Sequence, residues 1–145
     1  MSGLESLYQE LILDHAKNRR GFGLAGSDAD ATSHQRNPIC GDEITVRVRM
    51  EGDRVASLTW EGAGCSISQA SASMLAELAA EGLDRTGAER LIEGFREAMR
   101  SKGTLELDEE EFGDATALSG VSKYTARVKC AMLSWVAFED ALRRS

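Results

Sequence analysis

The stretch Ile44-Thr45-Val46-Arg47-Val48-Arg49-Met50 decides the architecture of this 145-residue chain. Its apolar residues alternate with Thr45, Arg47 and Arg49, the two-residue period of a strand buried on one face and polar on the other. Glu51-Gly52-Asp53 reads as a turn and the run from Val55 to Trp60 as a second strand, so the pair predicts an antiparallel hairpin. Outside it the pattern is helical. Leu4, Leu7, Tyr8, Leu11, Ile12 and His15 recur at helical spacing behind a Ser2/Glu5 capping box, which predicts a first helix from about Leu4 to Lys17. A second helix begins at Cys65 and runs to about Glu81, with Gly82 as its stop. Thr86 with Glu89 reads as another capping box, followed by the stripe Leu91, Ile92, Phe95, Met99 and a stop at Gly103. A last helix starts between Ser122 and Ala126 and ends at Arg144. The fold expected is one α+β domain spanning 1–145: a small antiparallel sheet of about three strands covered on one side by helices, with its site at one exposed end.

Between these elements lie segments with little periodicity. Asn18 to Gln35 is rich in glycine, alanine, serine and aspartate and reads as a mobile surface loop. His34 near its end reads as a solvent-exposed histidine. His15 reads as a half-buried residue at the negative pole of the first helix. The acidic run Asp108 to Glu111 reads as a solvated face, and Asp114 to Leu118 as one short helical turn.

The chemistry clusters at both ends of the hairpin. Before it, Asn37-Pro38-Ile39-Cys40-Gly41-Asp42 sets a thiol and a carboxylate two residues apart. Pro38 pushes Asn37 towards an extended conformation, and Gly41 permits the positive φ that swings both side chains to one point. After it, Gly62-Ala63-Gly64 ends the second strand and leaves Cys65 at a helix start, where the macrodipole and unpaired N–H groups favour a thiolate. The third cysteine, Cys130, lies in the first turns of the last helix beside Arg127 and Lys129. It reads either as a small buried residue or as a thiolate stabilised by its basic neighbours. Cys40, Asp42, Cys65 and Cys130 are a full tetrahedral donor set for zinc, with Arg127 and Lys129 able to offset the excess negative charge. Their wide spacing is less specific than a two-residue cysteine knuckle, so the residues alone leave a shared site open.

Composition narrows the function classes. Seventeen basic residues against 24 acidic ones give a formal charge of -7, which argues against a phosphate backbone as partner. No run of about eighteen apolar residues predicts a membrane span, and no basic-then-apolar leader is visible at the N-terminus. Three cysteines without regular spacing fit a reducing cytoplasm better than a disulfide framework.

Three segments carry a family likeness. Asn37-Pro38-Ile39-Cys40-Gly41-Asp42, Gly62-Ala63-Gly64-Cys65-Ser66-Ile67-Ser68-Gln69-Ala70-Ser71 and Arg127-Val128-Lys129-Cys130-Ala131-Met132-Leu133-Ser134-Trp135 resemble, in that order, the three motifs of the IscU/NifU-like iron-sulfur cluster assembly family. The chain is most similar to the SufU branch. The segment between the second and third cysteines is long, with Asp114 to Val121 as its marker, and Lys129 stands where the IscU branch has a histidine ligand. The leucine-proline-proline-valine-lysine chaperone motif of that other branch is missing. The resemblance implies a zinc-dependent sulfurtransferase that takes persulfide sulfur from a SufS-type cysteine desulfurase and passes it to the Suf cluster-assembly proteins. It implies Cys40, Asp42, Cys65 and Cys130 as zinc ligands, Cys40 as the sulfur acceptor, and Arg127 as a supporting or partner-docking residue. Two other readings stay open: a scaffold holding a transient 2Fe–2S cluster on the same residues, and an adaptor whose zinc only ties loops to helices.

Overall fold

The computed structural model describes residues 3–27, 30–39 and 41–145. Helix α1 (Gly3–Lys17) precedes strands β1 (Ala31–Arg36), β2 (Glu43–Glu51) and β3 (Arg54–Ala63), then helix α2 (Ser66–Ala80) and the two-residue strand β4 (Leu83–Asp84). Helices α3 (Arg85–Arg100) and α4 (Glu109–Phe112), a 3-10 helix (Gly113–Lys123) and α5 (Thr125–Arg144) complete the chain. The strands form one antiparallel sheet in the order β1-β2-β3-β4.

The hairpin is where the alternation puts it. Ile44, Val46 and Val48 are buried while Thr45, Arg47 and Arg49 are not, so one face of the sheet meets the core and the other meets water. Helices α2 and α5 pack on the inner face, α5 against β1 and β2 and α2 against β3. Helix α2 is buried on almost every side, from Ile67 to Ala76 without a break. Its serines and alanines make that possible, because small side chains let neighbouring backbones come close. Ser71 Oγ donates to the Ala131 carbonyl at 2.6 Å and accepts the indole N–H of Trp135 at 3.0 Å. Trp135 stacks on Phe95 of α3 with centroids 4.2 Å apart, so one aromatic side chain joins three helices.

Four readings of the sequence are corrected. The segment expected to be a loop up to Gln35 contains β1, paired with β2 from Ala31↔Val48 to Arg36↔Glu43, so the sheet has four strands rather than about three. Strand β1 has no apolar stripe because a serine serves as its inward contact: Ser33 is buried and donates to Asp140 of α5 at 2.7 Å. His34 is therefore a strand residue, exposed and 3.7 Å from Glu43. The cap of α3 is Asp84, whose carboxylate accepts the Gly87 N–H at 2.7 Å, in place of the Thr86/Glu89 box. The single turn expected at Asp114–Leu118 is an eleven-residue 3-10 helix. His15 is wholly buried rather than half-buried. The Ser2 half of the first capping box lies outside the described residues.

The glycines on the path from β3 to α2 set how closely elements approach. A Cβ on Gly62 would lie 2.2 Å from the Glu43 carbonyl oxygen, and one on Gly64 would lie 2.4 Å from Asp42 Oδ1. Only hydrogen fits at either place. That closeness brings the start of β2 against the start of α2.

Candidate metal centre

Asp42 stands just before β2 and is buried. The turn before it is closed by two backbone bonds, Asn37 N–H to the Asp42 carbonyl and Gly41 N–H to the Asn37 carbonyl, each 2.8 Å. Gly41 has φ +76°, the left-handed conformation that its lack of a side chain permits. Asn37 Oδ1 accepts the Ile39 N–H at 3.1 Å, a side-chain-closed turn of the kind asparagine forms. The turn thus aims Asp42 inwards, as proline, glycine and asparagine at these positions predict.

Cys65 is the N-cap of α2, with φ −70° and ψ 167°. It is exposed, whereas Cys130 is buried, and neither is in a disulfide. Asp42 Oδ1 accepts the Cys65 backbone N–H at 3.0 Å, and Asp42 Oδ2 lies 3.7 Å from Cys65 Sγ. The carboxylate therefore has one oxygen fixed by the first free amide of a helix and the other turned to the sulfurs. Cys130 arrives from α5, its thiol 3.9 Å from the Ala126 carbonyl. One donor atom from each of Asp42, Cys65 and Cys130 lies within 4.8 Å of the other two. Chain positions separated by 23 and 65 residues meet at one point.

The donor set suits zinc or an iron-sulfur cluster. Zinc–sulfur bonds of about 2.3 Å in a tetrahedron set neighbouring ligand atoms roughly 3.5–3.8 Å apart, and the Asp42–Cys65 separation already lies in that range. Two thiols and a carboxylate offer three donors, and a tetrahedron needs a fourth. Cys40, the fourth candidate, lies outside the described residues. Arg127 and Lys129 are exposed in the first turns of α5, and Lys129 faces a groove lined also by Arg36, Pro38, Ile39, Met132 and Leu133. Ile39 is 79% exposed, so an exposed apolar side chain and the cations Arg36 and Lys129 share this groove on an acidic protein. Among the described residues neither Arg127 nor Lys129 has a carboxylate partner.

One constellation escaped the sequence reading. His15 of α1, Glu77 of α2 and Asp114 of the 3-10 helix also bring three ligand atoms within 4.8 Å of one another. His15 Nε2 is 2.9 Å from Asp114 Oδ2 and 4.0 Å from Glu77 Oε1, and its Nδ1 is 2.7 Å from Ser73 Oγ. Burial and the neighbouring Asp114 charge push the Glu77 carboxyl above its ordinary range. Its partners lie 58, 62 and 99 positions from His15, and helical spacing carries no trace of such a meeting.

The described residues hold no helix long and apolar enough to cross a membrane. The model of the NifU-like N-terminal domain matches residues 7–131. The chain is 40% identical to the zinc-dependent sulfurtransferase SufU of Bacillus subtilis, over 99% of this chain and 94% of that protein. It is 35% identical to the iron-sulfur cluster assembly scaffold protein IscU of Streptococcus pyogenes serotype M1, over 100% of this chain and 88% of the relative. The crystal structure of the iron-sulfur cluster assembly scaffold protein for the SUF system, SufU, from Fervidobacterium islandicum AW-1 superposes with a TM-score of 0.73 at 31% identity, covering 97% of this chain and 99% of that one. The likeness in sequence and fold runs along almost the whole chain, and the chain belongs to the IscU/NifU-like iron-sulfur cluster assembly family, as a SufU-type member.

Proposed function

We propose that the protein is a zinc-dependent sulfurtransferase of iron-sulfur cluster assembly, accepting sulfur from the persulfide of a SufS-type cysteine desulfurase. The observation that supports it most is the meeting of Asp42, Cys65 and Cys130 within 4.8 Å, two residues along the chain from Cys40. Zinc held by Asp42, Cys65, Cys130 and Cys40 would keep the thiols deprotonated near neutral pH. The remaining chemistry belongs to the chain. The Cys40 thiolate attacks the outer sulfur of the donor persulfide; a sulfur–sulfur bond forms on Cys40 as the donor's own sulfur–sulfur bond breaks, and the donor cysteine leaves as its thiolate. No net electrons are consumed. Asp42 and the buried Cys130 stay in place, because one is tied to the α2 amide and the other sits on a packed helix. The exposed Ile39, Arg127 and Lys129 give the donor an apolar and cationic border to dock on, and Suf assembly proteins receive the sulfur afterwards in the cytoplasm.

The scaffold reading has two observations in its favour: the likeness to the Streptococcus pyogenes IscU scaffold is also full-length, and the similar Fervidobacterium SufU is itself named as a cluster assembly scaffold protein. Lys129 in place of a histidine ligand favours sulfur transfer. Elemental analysis of protein purified anaerobically without added metal, paired with a desulfurase assay, tests both. Stoichiometric zinc with stimulated desulfurase turnover supports the transferase. Iron and sulfide with visible absorption, and no stimulation, replaces it with the scaffold.

A further inference from the structure

We infer that His15, Glu77 and Asp114 form a second divalent-cation site, for a hard to borderline ion of the manganese(II) or ferrous type, through His15 Nε2, Asp114 Oδ2 and Glu77 Oε1. The donors are one imidazole and two carboxylates from three different elements, within 4.8 Å of one another. Such a set prefers oxygen- and nitrogen-loving ions over the soft ones that thiolates take. Around a six-coordinate ion with bonds near 2.1 Å, adjacent ligands lie about 3 Å apart. The imidazole-to-Asp114 separation of 2.9 Å has that value, and Glu77 Oε1, now 4.0 Å from the ring, would have to move about 1 Å inwards.

The ring is prepared for this role. His15 is fully buried and gripped at Nδ1 by Ser73 Oγ at 2.7 Å, the outer contact that fixes a metal-ligating histidine in place. Ser73 Oγ also accepts the Arg20 backbone N–H at 2.9 Å. A hydroxyl can donate to Nδ1 or accept from it. With Nδ1 as acceptor, Nε2–H donates to Asp114. With the ring's single proton on Nδ1, donated to Ser73, the Nε2 lone pair faces both carboxylates. The ring can change tautomer while its Nδ1 contact to Ser73 is kept.

The charges leave room for a cation. Arg20 is shared between Glu77 and Asp14: its Nε is 3.1 Å from Glu77 Oε2 and its terminal nitrogens are 3.1 and 3.2 Å from Asp14 Oδ2, so one cation faces three carboxylates counting Asp114. It takes the Glu77 oxygen that points away and leaves Oε1 towards the imidazole. The Glu77 and Asp114 side chains are 35% and 38% exposed, so the donors have a buried floor and a mouth open to solvent.

The test is manganese(II) binding to the full-length, zinc-loaded protein, followed by the paramagnetic resonance of free manganese and by thermal shift. Manganese is a poor partner for thiolates whether or not zinc already occupies them, so the result is independent of the thiol centre's role. The expected result is one saturable manganese per chain with a raised melting temperature, and roughly tenfold or more weaker binding in both Asp114→Asn and Glu77→Gln. These variants keep the shape of each side chain, so they test the site even where His15→Gln fails to fold. No saturable manganese, or binding unchanged in Asp114→Asn, overturns the site and leaves the cluster as a hydrogen-bonded cross-tie between helices.

Discussion

Two places in this molecule gather three ligand atoms from three elements, and they are built by opposite means. At the thiol centre, backbone does the positioning: a glycine turn aims Asp42, a helix amide holds its Oδ1, and Cys65 occupies a cap position. At the histidine centre, side chains do it: Ser73 grips His15, and Arg20 grips Glu77. A backbone-built site depends on glycines and chain direction, which leave marks in sequence. A side-chain-built site depends on residues far apart, which leave none.

The contrast can be broken most sharply at Cys40. Cys40→Ala is expected to abolish sulfur transfer while leaving the fold largely intact; a desulfurase still stimulated by the variant rejects Cys40 as acceptor. Next comes Asp42→Ala, which removes a donor and frees the Cys65 amide together. Zinc affinity, measured by competition with a chelator, should fall by more than the roughly 10–100-fold that losing an outer-shell partner costs; unchanged zinc content removes Asp42 from the ligand set.

Gly64→Ala tests the backbone half of the comparison without replacing a ligand residue. Its new methyl would lie 2.4 Å from Asp42 Oδ1 and 2.7 Å from Ser68 Oγ, so overpacking should cost about 1–3 kcal/mol. Zinc binding should weaken with it, and chemical denaturation beside a zinc titration reads both. A variant as stable and as zinc-avid as the parent would show that the close approach is unnecessary.

The smallest effect belongs to Glu77. Burial first, and then Asp114, raise its carboxyl pKa above 4.5, so the folded chain holds that proton more tightly than the unfolded one. The associated stability is fully present below the unfolded value and is lost as pH rises through the folded one. Urea midpoints taken from pH 7 down towards pH 4.5 should therefore show a proton-linked gain in the parent that is absent from Glu77→Gln. Identical pH slopes would mean that Arg20 and His15 already neutralise the carboxylate.

The same contrast explains what could be read in the chain. The β2–β3 hairpin follows from alternation at Ile44, Val46 and Val48, and Cys65 at a helix start follows from Gly62 and Gly64. Strand β1 was hidden because its inward residue is Ser33, matched to Asp140 across 107 positions; a polar strand shows no hydrophobic period. The 3-10 helix did leave a signal. Phe112, Ala115, Leu118 and Val121 are all buried and recur every third residue, the period of that helix rather than of an α-helix. Asp84 outcompeted Thr86 as a cap because strand pairing of Asp84 with Arg54 fixes the residue immediately before the helix.

The bond from the α2 amide to Asp42 has a consequence for selectivity among metals. An aspartate with both oxygens at liberty can clasp a large ion with two bonds, as calcium demands. Here Oδ1 already accepts the Cys65 amide, so a single bond through Oδ2 is the mode that leaves this hydrogen bond undisturbed. With Asp42 as a metal ligand, that arrangement would favour ions that want few, short, well-aimed ligands over those that want a crowded oxygen shell.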